Sequence, residues 1–409
     1  MSITIFENAS VIDVVAGEIL ADRHVVVEGS TIKDVAEAPV ASADARRIDL
    51  KGGTLMPGLI DSHVHVTAFS ANFTELQRSS PFYVAAAAAT IMGGMLDRGF
   101  TTVRDVGGGE FGLARAVEQG LIRGPRLIYG GKALSPTGGH GDVRLAGVDR
   151  HDDSYNQPGL GRIVDGVPDV RRHAREEIRR GAHHLKIMGN GGISSPTDRI
   201  SSDQFSEEEI AAVVDEANMA DLYVVVHAYT PRAIKRSVRL GVRSVEHGNL
   251  ADQEAIDLIR ERDAFLVPTL ATYRALKDEG VEAGLPLELA AKIDDVLDAG
   301  INAVEMAQRA GVQMAYGTDL LGAMHRRQSS EFALRADVVP AADLIRAATV
   351  NGARLMRLEN EIGQVKAGYR ADLIVVDGNP LDDIGVLAAP EKTLRLVMAR
   401  GIVTSDRLR

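Results

Sequence analysis

Cysteine and tryptophan are both absent from this 409-residue chain. Without a thiol there is no disulfide framework, no thiolate nucleophile, no zinc finger and no iron–sulfur cluster, and any transition metal must be held through nitrogen and oxygen. Long apolar runs are missing as well, none approaching the roughly 20 residues that span a bilayer. The first residues, MSITIFENASVIDVV, carry neither the cationic stretch nor the uninterrupted apolar core of an export signal, which sets the expectation of a cytoplasmic protein. Basic tracts are scarce, with 46 Lys+Arg against 57 Asp+Glu and a formal charge of −11. That balance argues against nucleic acid or membrane as a partner and suits a small neutral or cationic substrate. No GxSxG occurs, so a serine hydrolase mechanism has no anchor. What remains is an ordinary globular composition, 45% hydrophobic and 25% charged, which rules out a disordered tail or a fibre.

At about 150 residues per domain the length allows two to three units, or one large barrel with an accessory piece. Residues 1–58 alternate apolar and polar residues in short pieces broken by turn signals, a pattern of small antiparallel strands. From Leu59 the texture changes. Apolar strands are expected at 59–66, 101–106, 126–131, 184–188, 223–228, 243–247, 264–269 and 313–318, separated by helical patterns that include the long stretch 286–310. Eight strands alternating with helices predict an α/β protein built as a distorted (β/α)8 TIM barrel over 59–357, with a doubly wound open sheet as the competitor. After 358 short strands return. The two ends, 1–58 and 358–409, are therefore expected to pair into one small β-sandwich domain beside the barrel. The stretch 132–170 has no clear periodicity, and long loops of that kind are usually functional.

Chemistry gathers at the ends of the expected barrel strands. Asp61-Ser62-His63-Val64-His65 closes the first, and in a strand residues i and i+2 share a face, so both imidazoles can point at one metal. His227 closes YVVVH, His247 closes SVEH and Asp319 closes QMAYGTD, all at strand C-terminal ends where barrel enzymes place catalytic groups. As unrelated core residues, each buried imidazole would need a hydrogen-bond partner of its own.

In combination these residues resemble the amidohydrolase superfamily, specifically its binuclear-metal branch with a carboxylated lysine. The resemblance runs through LMPGLIDSHVHV, FTTVRDVGG and the closing GQVKAGYRADLIVVDGNPL. TGGHGD, the lysine in HLKIMGNGGISSPTD and HAYTP are most similar to Xaa-Pro dipeptidases (prolidases) and ochratoxinase-like amidases. The resemblance implies that His63 and His65 bind one divalent metal, that His227 and His247 bind the other, and that Asp319 also binds the first. Lys186 would bridge both as a CO2-derived carboxylated lysine, since a free lysine is cationic whereas its CO2 adduct is a carboxylate. His184 shares a strand face with Lys186 and is a minor alternative ligand. Zn2+ is the expected metal pair, with Mn2+ or Co2+ alternatives.

By the same resemblance a metal-bridging hydroxide attacks an amide carbonyl and Asp319 shuttles its proton to the departing amine. His140 in TGGHGD and Tyr229 in HAYT contact the scissile carbonyl or the substrate carboxylate. From spacing alone these two are a loop-surface histidine and a tyrosine at a barrel rim. Family members commonly carry HAH at the end of strand five. His227-Ala228-Tyr229 departs from that pattern, away from deaminases and towards the peptidase-like branch. The expected activity is hydrolysis of a small amide or dipeptide, by a dipeptidase of Xaa-Pro type or an N-acyl amino acid hydrolase, in a homo-oligomer. The alternatives are a hydrolase of a non-peptide amide, mycotoxin, carbamate or phosphotriester on the same metals, and a metal-independent binding protein on a degraded barrel.

Three other signals carry less weight. Gly107-Gly108-Gly109-Glu110-Phe111-Gly112 matches GxGxxG, but the next strand ends Tyr129-Gly130-Gly131 without the acidic residue a dinucleotide ribose requires, leaving a tight loop at the barrel mouth. Gly189-Asn190-Gly191-Gly192 is either a tight turn or a place where substrate backbone approaches closely. The arginines of 171–180 are interleaved with Glu176 and Glu177, as on a solvated helix face.

Overall fold

A computed structural model describes residues 2–148, 154, 157–193, 195, 198–283, 285 and 293–408. The chain begins with β1 (Ile3–Asp13), β2 (Glu18–Glu28), β3 (Thr31–Ala36), β4 (Arg46–Asp49) and β5 (Thr54–Pro57). A turn in which the Asp13 carboxylate accepts from the amides of Val15 and Ala16 joins β1 to β2. β1, β2 and β3 pair antiparallel, as the alternation predicts. β4 and β5 do not. They form one extended excursion running parallel to β1, with Leu50 bonded to Glu7 and Gly52 to Asn8 between them.

The parallel strands follow. β6 (Leu59–Val64), β7 (Phe100–Asp105) and β8 (Arg126–Tyr129) form a three-stranded parallel sheet. β9 (Ala133–Ser135), β10 (Gly161–Ile163), β11 (Leu185–Met188), β12 (Val224–Ala228), β13 (Ser244–His247), β14 (Phe265–Val267) and β15 (Gln313–Met314) form a seven-stranded one, in the order β10-β9-β11-β12-β13-β14-β15. Most of these strands are buried throughout, as parallel strands covered on both faces must be. Backbone bonds also run from His183 to Tyr129 and from Ser62 to Tyr316, tying β8 to the residues before β11 and β6 to those after β15.

Helices fill the connections, and their starts are legible in side chains. Ser206 and Glu209 form a capping box on Glu207–Met219, Thr230 caps a helix opened by Pro231, and Asp252 caps Gln253–Glu261. Among the described residues no helix is long and apolar enough to cross a membrane.

Finally β16 (Leu373–Val376), β17 (Leu394–Ala399) and β18 (Ile402–Asp406) return to the first sheet, whose order is β18-β17-β16-β5-β1-β2-β3 with β4 on β1. The two chain ends therefore meet in one sheet. Its pairing joins all eight strands and does not divide them into two layers, and Phe6, Val25, Leu55, Leu373 and Leu396 share its apolar core. The stretch 132–170 departs from expectation, because it holds β9 and β10. Strands of three residues are too short to show an alternation. Residues 149–153 and 155–156 of that stretch lie outside the described residues, as do 286–292 of the expected helix, which is formed at Ile293–Ala310.

Candidate metal centre

Of the nine residues singled out in the sequence, all but His184 line one cavity at the C-terminal ends of the parallel strands: His63, His65, His140, Lys186, His227, Tyr229, His247 and Asp319. His63 lies in β6 and His65 one residue beyond it, Lys186 in β11, His227 in β12, and His247 ends β13. Asp319 follows β15 by five residues and is set against β6 by its own amide, which donates to the His63 carbonyl at 2.9 Å.

Two of these residues have left-handed backbone: His247 at φ 73° and Asp319 at φ 51°. Such a conformation costs a non-glycine residue of order 1 kcal/mol and is kept where surrounding structure demands it. At His247 it ends the alternation of β13. Glu246 and His247 are consecutive, yet both reach His63, the first by a 2.8 Å hydrogen bond and the second by ring contact at 4.9 Å between centroids.

The hydrogen bonds assign the imidazole protons on one side of the cavity. His63 Nδ1 faces the Glu246 carboxylate and His65 Nδ1 faces the Gly107 carbonyl, each at 2.8 Å. Both partners only accept, so both Nδ1 atoms carry hydrogen. The Nε2 atoms, 3.4 and 3.1 Å from Asp319 Oδ1, then present lone pairs to a carboxylate, and His63 Nε2 is buried with no hydrogen-bond partner. Lone pairs and a carboxylate converging within 4.8 Å fit a cation, and the donor set suits a divalent metal.

The residues that hold this side were invisible to motif reading. Glu246 is fully buried against Arg104, whose Nη2 lies 2.8 and 3.0 Å from its two oxygens. Asp105 accepts from the amides of Val66, Gly107 and Gly109 and so folds the glycine run around itself. A Cβ at Gly107 would meet His65 at 3.1 Å, and one at Gly109 would meet the Asp105 carboxyl at 2.7 Å. The glycines are thus a loop that delivers the Gly107 carbonyl to His65. A usable signal existed: charged residues inside the apolar strands TTVRDV and SVEH are anomalies that need partners.

The other side is different. His227 and His247 lie 4.6 Å apart, and burial pushes both imidazoles well below their ordinary range, leaving them neutral. The hydroxyl of Thr269 sits 2.8 Å from His247 Nδ1. Lys186 is buried, and desolvation pushes its ammonium down to about 8. His184, the alternative ligand, is not part of the lining; it stacks on Tyr223 at 5.6 Å, because sharing a face with Lys186 leaves it deeper along the strand.

His140 stacks on His227 at 4.3 Å, and Ser195 Oγ lies 2.9 Å from its Nδ1. A Cβ at Gly192 would strike the His140 ring at 2.1 Å, so the close approach that Gly192 allows is to His140, whereas Gly191 packs on the Arg199 carbonyl and Gly189 on Val226. Tyr229 is fixed by Asn190, which accepts from its amide, and its hydroxyl accepts from Tyr273 at 2.9 Å. Away from the ligands Phe73, Val143, Leu160, Ile193, Leu276 and Leu321 supply apolar wall, interrupted by Gln77 and Thr272.

Comparison with known proteins matches residues 54–403 to the amidohydrolase family. The chain is 31% identical over 389 residues to ochratoxinase from Aspergillus niger, covering 92% of this chain and 80% of that one. It is similar to a solved prolidase complexed with N-methylphosphonate-L-proline, at 46% identity and TM-score 0.97 over 99% of this chain and all of the other. A Xaa-Pro dipeptidase with bound methionine in its active site superimposes at 30% identity and TM-score 0.89, again over 99% of this chain and all of the other.

Proposed function

The chain belongs to the amidohydrolase family, and from that premise we propose that it hydrolyses an amide bond on two divalent metals, its substrate being a Xaa-Pro dipeptide or an N-acyl amino acid. The observation that carries this reading is the convergence of His63, His65, Lys186, His227, His247 and Asp319 on one cavity that also holds His140 and Tyr229. The relative at 46% identity, complexed with a phosphonate of proline, supports the dipeptide form, and the ochratoxinase relative supports the broader amide class. We read the parallel strands as one closed (β/α)8 barrel over 59–357, beside the domain built from 1–58 and 358–409.

His63, His65 and Asp319 would hold one metal in this reading, and His227 and His247 the other. Lys186 would be a ligand they share once its amine has added CO2. Its burial favours that chemistry, because the neutral amine is the nucleophile and burial disfavours the ammonium. Bound divalent metals supply the Lewis acidity that makes water a nucleophile near neutral pH, and zinc suits the nitrogen and oxygen donors, with manganese or cobalt as substitutes.

The chain's own groups handle the proton and the carbonyl. Asp319 is ionised, accepts the proton of the attacking water and returns it to the nitrogen as the carbon–nitrogen bond breaks, releasing acid and amine. Tyr229 accepts from Tyr273, which leaves its own O–H to donate to the carbonyl oxygen where negative charge develops. Ser195 donates to Asp198 in a short contact, so its oxygen accepts from His140 Nδ1 and turns Nε2 of that ring to the cavity.

The test is the metal-loaded protein against Xaa-Pro dipeptides, N-acyl amino acids, carbamates and phosphotriesters. Turnover is expected on the first two classes. Exclusive turnover of a carbamate or phosphotriester would overturn the assignment.

A further inference from the structure

We propose that Glu246 is a positioning residue for the metal centre: its carboxylate fixes the tautomer of His63 and sets the affinity of the His63, His65 and Asp319 side, separately from its pairing with Arg104. The proposal rests on the metal-centre reading above and goes beyond it to a residue that touches neither metal nor substrate.

Glu246 is 0% exposed and surrounded by donors. Oε2 accepts from His63 Nδ1 at 2.8 Å and from Arg104 Nη2 at 3.0 Å, while Oε1 accepts from Arg104 Nη2 at 2.8 Å and, in a short contact, from the Ser244 hydroxyl. Arg104 is in turn anchored by the Ser62 carbonyl at 2.6 Å, one residue before His63. The Ser244 hydroxyl of its own strand also holds the carboxylate, so the acceptor stays on His63 and the imidazole is locked with its hydrogen on Nδ1 and its lone pair on Nε2. A carboxylate behind a histidine also makes that histidine a stronger ligand, an effect typically worth 10–100-fold in metal affinity.

His63 alone among the four histidines of the centre has a carboxylate hydrogen-bonded to its outer nitrogen among the described residues. His65 has a carbonyl and His247 a hydroxyl. The geometry thus singles out the His63 side as the tighter one, filled first.

The alternative is that Glu246 serves only to neutralise Arg104. Removing one member of a buried pair is strongly destabilising, whereas removing both relieves the penalty. The two roles separate in three variants of the full chain: Glu246→Gln, Arg104→Met and the double variant. Each is stripped with a chelator, its fold is followed by circular dichroism and melting, and it is titrated with Zn2+ against a chromophoric competitor and with Co2+ by visible absorption.

Wild type and Arg104→Met are expected to bind the first equivalent within about threefold of each other, although Arg104→Met melts lower. Glu246→Gln and the double variant are expected to bind it 10–100-fold more weakly, with an altered Co2+ spectrum. If Glu246→Gln does not fold, the double variant decides. A double variant with wild-type affinity, or affinities that fall only in step with melting temperature, overturns the proposal. Wild type that takes up no metal instead overturns the metal-centre reading beneath it.

Discussion

On one side of the cavity His63 and His65 face Asp319 with their outer nitrogens already held by Glu246 and Gly107. On the other, His227 and His247 sit as neutral rings beside the amine of Lys186. The first side is complete as translated: its carboxylate and its locked lone pairs already attract a cation. The second consists of neutral or cationic groups and, among the described residues, has no anionic oxygen of its own. In the proposed reading a metal on that side depends on a change in Lys186, so the two sides should respond differently to substitution.

The largest effect should come from Asp319→Asn, which in the proposed reading removes both the anionic ligand of the first side and the proton acceptor. We expect kcat to fall by about 10³-fold with the fold retained; near-wild-type kcat in steady-state assays removes Asp319 from the proton path. Lys186→Ala should then split the sides. Elemental analysis is expected to find one metal per chain in place of two, with turnover largely lost and partly restored by short carboxylic acids. Two metals in that variant would show that the second side needs no bridge.

Tyr229→Phe leaves both sides intact and removes the proposed donor to the carbonyl oxygen. The expected loss is about 10²-fold in kcat/KM, with little change in melting temperature. An unchanged kcat/KM would place Tyr229 outside the reacting geometry.

A last effect is a pH dependence of stability that arises beside the first side. His325 lies in the 3-10 turn Gly322–Arg327 that follows Asp319. Its Nε2 is 3.1 Å from the Ala68 carbonyl, which also accepts from the Gly322 amide, so it ties the Asp319 side to the loop after His65. Burial pushes its imidazole down to about 4 from the ordinary 6.5. Between those values the unfolded chain binds a proton that the folded chain refuses. Stability is therefore undiminished above about 6.5 and falls as pH drops, by up to roughly 3 kcal/mol near pH 4. Denaturant titrations of wild type and His325→Gln at pH 7 and 5 check this, the variant being expected to lose part of the acid slope. Equal slopes would remove His325 as its source.

Much of this centre was legible because parallel strands bring their C-terminal ends together, so a histidine or aspartate closing each apolar run pointed to one place. Alternation also marked Lys186 and His184 as sharing a face. It carries no information on depth, and depth separated the ligand candidate from a ring stacked on Tyr223. Likewise β9 and β10 are held by pairing with strands distant in sequence and leave no local periodicity. Glu246 and His247 show a further limit, since a period of two assigns consecutive residues to opposite faces and only the φ of 73° brings both to His63.

Composition alone decided that any metal would be bound by nitrogen and oxygen, because a chain without cysteine has no sulfur ligand to offer. The pattern of apolar runs decided where those donors would stand. Which nitrogen of His63 faces the cavity was decided only by the folded structure, through a carboxylate 183 residues away. A tautomer is set by the partner of the other ring nitrogen, and that partner exists only once the strands have assembled.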